Sequence, residues 1–169
     1  MAYTQEKYIK FAFYCKFAKK TLPLHAKLIY SYKNMAKTEI STLGEFGLIK
    51  HLTKDIKSMQ PSTQKGIGDD AAVMHYGDKR TLVTTDLLLE GIHFNLEYAP
   101  LKHLGYKAAV VNFSDIYAMN GTPTQITVSL GISKRFSVED LEELYAGIRL
   151  ACERYNVDLV GGDTSASMT

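Results

Sequence analysis

The sequence predicts an α+β fold, a mixed β-sheet with helices packed on one face. Two observations carry this. Short apolar or alternating runs at 71–76, 81–85, 125–132 and 157–160 are interleaved with longer runs of helical spacing. The first two runs flank Gly77-Asp78-Lys79-Arg80, a turn string that makes them a hairpin. A hairpin mixed with helices favours helices layered on a mixed sheet. At 169 residues, 46% apolar and 22% charged, the chain suffices for one domain with a real hydrophobic core.

The elements follow in order. Thr42 and Glu45 stand at capping-box spacing, and Ile49, Leu52, Ile56 and Met59 recur at helical intervals, predicting a helix that ends before Pro61. After the hairpin, 101–119 reads as a helix with Leu104, Ala108, Val111 and Asp115 along one side, and Asn120-Gly121-Thr122-Pro123 ends it. Residues 125–132 alternate as a strand. Ser137 then caps a helix with Asp140 at the third helical position, and Leu141, Leu144, Ile148, Cys152 and Tyr155 form its apolar stripe. A short strand at 157–160 leads into a loop beginning Gly161-Gly162. The chain then stops where another strand is expected, and it reads as truncated.

Composition excludes several classes. No apolar run approaches the roughly 20 residues that span a bilayer, so no membrane partner is expected. The only cysteines, Cys15 and Cys152, form no CxxC pair; this argues against a disulfide scaffold or zinc site and fits a reducing, cytoplasmic setting. Residues 1–34 carry seven lysines and one acidic residue, Glu6, while the rest holds thirteen basic and seventeen acidic side chains. The overall +2 therefore hides a mildly acidic body, unlike a nucleic-acid binder. Residues 1–34, a basic Tyr/Lys-rich extension, read either as upstream sequence translated in frame ahead of a start at Met35-Ala36-Lys37, or as a basic amphipathic surface helix. The domain proper is then 35–169.

Four acidic corners carry the chemistry. Gly66-Ile67-Gly68-Asp69-Asp70 enters a strand with two adjacent carboxylates, costly unless a cation or solvent separates them; a solvated turn explains such a string equally well. Thr84-Thr85-Asp86 closes a strand and offers hydroxyl, carbonyl and carboxylate oxygens, the hard ligands that Mg²⁺ takes; a strand-end Asx turn is the plainer account. Asn112 and Asp115 lie one turn apart on the side of a helix that carries Ala108, where a polar pair forms either a buried network or a site. Gly161-Gly162-Asp163-Thr164 follows an apolar strand, and its amides could cradle phosphate oxygens while Asp163 holds the metal; a β-turn is the alternative. His93, just beyond an acidic strand end, is a candidate hydrogen-bond donor to phosphate. His25, His51, His75 and His103 read as structural. Together the corners describe an acid-rich, multi-metal, phosphate-handling site without a nucleophilic Ser or Cys.

The strings from Gly66 to Val73, from Thr84 to Phe94, from Lys107 to Asp115 and from Gly161 to Thr164, with their spacings, resemble thiamine-monophosphate kinase. The likeness covers residues 35–169 and corresponds to the amino-terminal half of that enzyme, whose fold is aminoimidazole-ribonucleotide-synthetase-like. It implies ATP-dependent phosphorylation of thiamine monophosphate to thiamine diphosphate, assisted by Mg²⁺. It implies Asp70, Thr84, Thr85, Asp86, Asp115 and Asp163 as metal ligands, Gly162 and Asp163 at ATP, and His93 at thiamine monophosphate, with Asp69 in a supporting role. It also implies a homodimer whose amino-terminal sheets join into a shared barrel. The carboxy-terminal half of the family is absent, so these 169 residues alone are expected to be poorly active. Two other readings stand beside it: a related hydrogenase-maturation carbamoyl-dehydratase, and a non-catalytic nucleotide-binding or dimerisation module.

Overall fold

The structure, a computed structural model, describes residues 39–167. The reading of residues 1–34 lies outside the described residues. The chain divides into Met1–Gly44 and Glu45–Thr169. Within the described part of the first unit, Ile40–Thr42 forms a single 3-10 turn.

Helix α1 spans Gly44–Thr53 and stops well short of Pro61. Thr42 does not cap it; its hydroxyl donates 2.6 Å to the Glu39 carbonyl within the 3-10 turn. The anticipated last turns carry Ile56 and Met59, which are 63% and 84% exposed. Helical spacing alone does not hold a helix when its apolar stripe has nothing to bury against.

Strands β1 (Thr63–Lys65), β2 (Ala72–Tyr76) and β3 (Lys79–Val83) form an antiparallel sheet in that order. Tyr76 pairs with Lys79, so the turn is the two residues Gly77-Asp78 rather than four. Gly77 has φ +60°, a value suited to a tight hairpin with the natural strand twist. Strand β1 has only three residues, Thr-Gln-Lys, and carries no apolar period to reveal it.

Helix α2 (Leu101–Ala118), strand β4 (Gln125–Ile132) and helix α3 (Val138–Tyr155) fall where the sequence predicts them. The capping box of α3 forms as expected: Asp140 N–H donates to Ser137 Oγ at 3.2 Å, and Ser137 N–H donates to Asp140 Oδ2 at 2.8 Å. Asn156, in the left-handed region, ends the helix. Strand β5 (Asp158–Ala166) pairs parallel with β4, as a helical crossover requires. The parallel and antiparallel pairs thus lie in two separate sheets among the described residues.

Ala109 and Phe113 of α2, Ile148, Ala151 and Cys152 of α3, and Val157 form the core, with Ile126 and Val128 of β4 packed against it. The face of α2 that meets α3 is therefore Gly105, Ala109 and Phe113, not the side carrying Ala108 and Val111. Small residues at the crossing explain the difference. A Cβ on Gly105 would stand 1.9 Å from the Leu144 carbonyl, and one on Gly147 would stand 1.9 Å from the Lys102 carbonyl. The helices meet backbone to backbone, a contact to which the apolar period is blind.

Candidate functional site

The side of α2 turned away from that core carries Ala108, Asn112 and Asp115, and the segment following β3 lies against it. Residues Thr84, Thr85 and Asp86 sit just beyond the ladder, which ends at Val83. Thr84 Oγ1 lies 2.8 Å from both the Asp70 carbonyl oxygen and Asp115 Oδ2. One hydroxyl proton serves only one of these acceptors at a time. Asp86 N–H donates 3.0 Å to Asn112 Oδ1, and Asn112 Nδ2 donates 3.0 Å to the Ala108 carbonyl. The first three corners, at Asp70, Thr84–Asp86 and Asn112–Asp115, therefore meet at one place, although they are up to 45 positions apart in the chain.

Charge at this place is one-sided. Partial desolvation, and then the neighbouring Asp115 carboxylate, push the Asp86 carboxyl above its ordinary value, while His93 pulls it down. Three cationic side chains have other partners: Lys65 pairs with Asp69, Arg135 with Glu90, and Lys107 Nζ donates 2.6 Å to the His93 carbonyl. Among the described residues, no ion pair neutralises Asp86 or Asp115. Asp69 also accepts from Asp70 N–H at 3.1 Å, so it steadies the backbone of Asp70 from behind.

His93 is held by three hydrogen bonds, through its ring, its carbonyl and its N–H. Leu89 N–H donates 2.9 Å to His93 Nδ1, which fixes that nitrogen as an acceptor. In the neutral ring the proton is then on Nε2, leaving an N–H donor. Thr85 is exposed.

The fourth corner differs from its expected form. Gly161, Gly162, Asp163 and Thr164 lie inside β5, paired with 127–130 of β4, not in a phosphate-cradling loop. The register shifts between Ile126 and Thr127, so Val160 is the extra residue of a bulge. A Cβ on Gly162 would stand 1.7 Å from the Val128 carbonyl, so strand pairing alone requires glycine there. Asp163 Oδ2 accepts from Ser165 Oγ at 3.3 Å. Among the described residues, no hydrogen bond or ion pair joins Asp163 to Asp86 or Asp115.

The oxygen donors present fit Mg²⁺ in character. Among the described residues, no three His, Cys, Asp or Glu side chains form a cage by themselves. Mg²⁺ commonly takes one or two carboxylates and completes its shell with water and substrate phosphates. Asp86, Asp115 and the Asp70 carbonyl suit that pattern. Two surface concavities, of about 420 Å³ against Lys65, Arg80 and Met119 and about 260 Å³ against Arg149, Cys152 and Asp158, contain none of these residues.

The family model of AIR synthase related protein, N-terminal domain, matches residues 68–169, the span that holds the aspartates of all four corners. The chain belongs to the AIR synthase related protein family. Relatives of this AIR-synthase-related domain include the thiamine-monophosphate kinase of Aquifex aeolicus (strain VF5), 41% identical over 128 residues that make up 76% of this chain and 40% of the relative. The thiamine-monophosphate kinase of Bacillus subtilis (strain 168) is 38% identical, over 72% of this chain and 38% of the relative. The solved structure of AaThiL complexed with AMPPCP and TMP superposes with a TM-score of 0.69 at 40% identity, over 78% of this chain and 40% of that one. The chain thus spans about 40% of the length of the relatives it matches.

Asn112 is the residue whose importance the sequence signalled only faintly. Its spacing from Asp115 was visible, but its contact with Asp86 joins positions 26 apart.

Proposed function

We propose that residues 35–169 are the amino-terminal, ATP- and Mg²⁺-binding domain of a thiamine-monophosphate kinase, with residues 1–34 an extension outside it. The reaction forms a bond between an oxygen of the thiamine monophosphate phosphate and the γ-phosphorus of ATP. The bond from that phosphorus to the β,γ-bridging oxygen breaks, and ADP leaves. The observation that carries the reading is the convergence of Asp70, Thr84, Asp86 and Asp115, an oxygen cluster that no ion pair neutralises among the described residues. The identities to kinases support the substrate pair, and one similar structure is of a complex with AMPPCP and TMP.

In this reading Asp70, Thr84, Thr85, Asp86, Asp115 and Asp163 provide the cation ligands. Bound Mg²⁺ supplies charge neutralisation between two phosphate groups that otherwise repel. The chain's own residues supply position. Gly162 lets the β5 backbone lie close to β4, presenting Asp163 toward ATP. His93 offers its Nε2–H to a phosphate oxygen of thiamine monophosphate. The active form is a homodimer in the cytoplasm, with β5, exposed along its whole length, available for sheet joining. Because the chain covers only about 40% of its relatives, it turns over poorly alone.

Phosphoryl transfer is assayed with the chain by itself and with the chain completed by the remaining length of the Aquifex relative. Thiamine diphosphate should form in the completed protein, and Asp86→Asn should lower the rate at least 100-fold, in the range typical of a lost charge-stabilising group. Full activity in Asp86→Asn refutes the ligand assignment; equal rates in the short and completed proteins refute the incompleteness of the short one.

A further inference from the structure

The segment from Asp86 to His93 carries an acidic residue at one end and the candidate acceptor-binding histidine at the other. It has little regular structure: a tight turn in which Ile92 and His93 N–H groups donate to the Leu89 carbonyl at 3.2 and 2.8 Å, and a single bridge from Glu90 to Phe94. Most of its residues are exposed, so packing does not fix it. What fixes it to α2 is two side chains. Asn112 accepts from Asp86 N–H at 3.0 Å, and Lys107 Nζ donates to the His93 carbonyl at 2.6 Å.

The asparagine is suited to this by having a donor and an acceptor on one planar group. Its Oδ1 faces an N–H and its Nδ2 faces a carbonyl; turned over, it would set donor against donor and acceptor against acceptor. Its orientation is therefore defined, and with it the height of the Asp86 backbone above α2. The lysine acts on a carbonyl rather than on a carboxylate. It spends its charge on the backbone at His93, whose ring the Leu89 amide then orients.

We infer that Asn112 and Lys107 are positioning residues that set the two ends of this segment separately, Asn112 the cation-binding end at Asp86 and Lys107 the acceptor-binding end at His93. The inference rests on the metal and substrate roles proposed above for Asp86 and His93. It predicts a double dissociation: each variant harms one ligand and spares the other.

The test uses the full 169-residue chain, with Mn²⁺–ATP as the cation probe, thiamine monophosphate as the acceptor, and amide hydrogen exchange as a ligand-free readout. Asn112→Ala should weaken Mn²⁺–ATP binding about 10- to 100-fold, the usual loss when a group behind a metal ligand is removed, and should speed exchange at the Asp86 amide. Alanine is the better helix former, so the helix itself should not suffer. Asn112→Asp, which keeps an acceptor for Asp86 N–H, should preserve protection at that amide. Lys107→Met should weaken thiamine monophosphate binding about tenfold, as expected for one charge-assisted hydrogen bond, speed exchange at the Leu89 amide, and leave Mn²⁺–ATP binding within about twofold. Equal weakening of both ligands by both variants, or a drop in melting temperature with neither affinity changed, overturns the inference. So does unchanged exchange at Asp86 and Leu89. A wild-type chain that binds Mn²⁺–ATP but not thiamine monophosphate overturns the acceptor-binding role of His93 in this chain, while exchange at the two amides still decides the tethers.

Discussion

Asp86 shows how a single carboxylate connects stability to binding. Its proton is held more firmly in the fold than in the open chain, because desolvation and Asp115 both disfavour the charge. The stability that goes with a raised value is fully present below the ordinary value of 3.8 and is lost as pH rises through the folded value. In the absence of divalent ions, the melting temperature of the chain should therefore fall across that window, and Asp86→Asn should flatten the fall. Thermal melts at a series of pH values check this; a wild-type profile identical to that of Asp86→Asn would refute it. Cys152 is another displaced group. Burial in the α2–α3 core, and then Asp158 and Glu153, push its thiol upward. In a Cys15→Ser background it should react with an aromatic disulfide reagent far more slowly in the native chain than in denaturant, and comparable rates would contradict its burial.

Gly105 and Gly147 decide how the two long helices cross. Alanine in place of either gains about 1 kcal/mol of helix propensity. Against this, a methyl group 1.9 Å from a carbonyl oxygen of the facing helix cannot be accommodated without separating the backbones. Overpacking of this kind costs about 1–3 kcal/mol and occasionally more, so the packing loss wins. Urea unfolding of Gly105→Ala and Gly147→Ala should show net destabilisation of about 1–2 kcal/mol; a stabilised variant would mean the helices do not touch there. Much at this scale was legible in the chain. Ser137 and Asp140 announced α3, Asn120 and Gly121 ended α2, and the alternation of 125–132 gave β4 its bounds. The failures share a cause. The extent of α1 depended on a packing partner, β1 on a neighbouring strand, and β5 on the ladder of β4, which continues through Gly161-Gly162 where local chemistry suggests a loop. Non-local partners overrode local preference in each case.

Across the molecule, the convergence of Asp70, Thr84, Asp86 and Asp115 was foreseen as a set of motifs but not as a geometry, because the hydrogen bonds that unite them span 14 to 31 positions. Asp163 stands apart from that set in the hydrogen bonding of the described residues, and sheet joining through β5 is the proposed assembly. Sedimentation equilibrium should then give twice the chain mass of 18.9 kDa, and Val160→Lys, placing a charge on the bulge of the exposed strand, should shift the distribution toward monomer. A wild-type chain that sediments only as a monomer would sink this assembly. The glycine crossing has a consequence on the same scale. Helix α2 presents Gly105, Ala109 and Phe113 to α3, and Lys107, Asn112 and Asp115 to the segment that runs from Thr84 to His93. One rod is thus at once the wall of the core and the gauge against which the segment from Thr84 to His93 is measured. A methyl group added at its rear would move the gauge, and the error would be read as lost affinity by residues that never touch it.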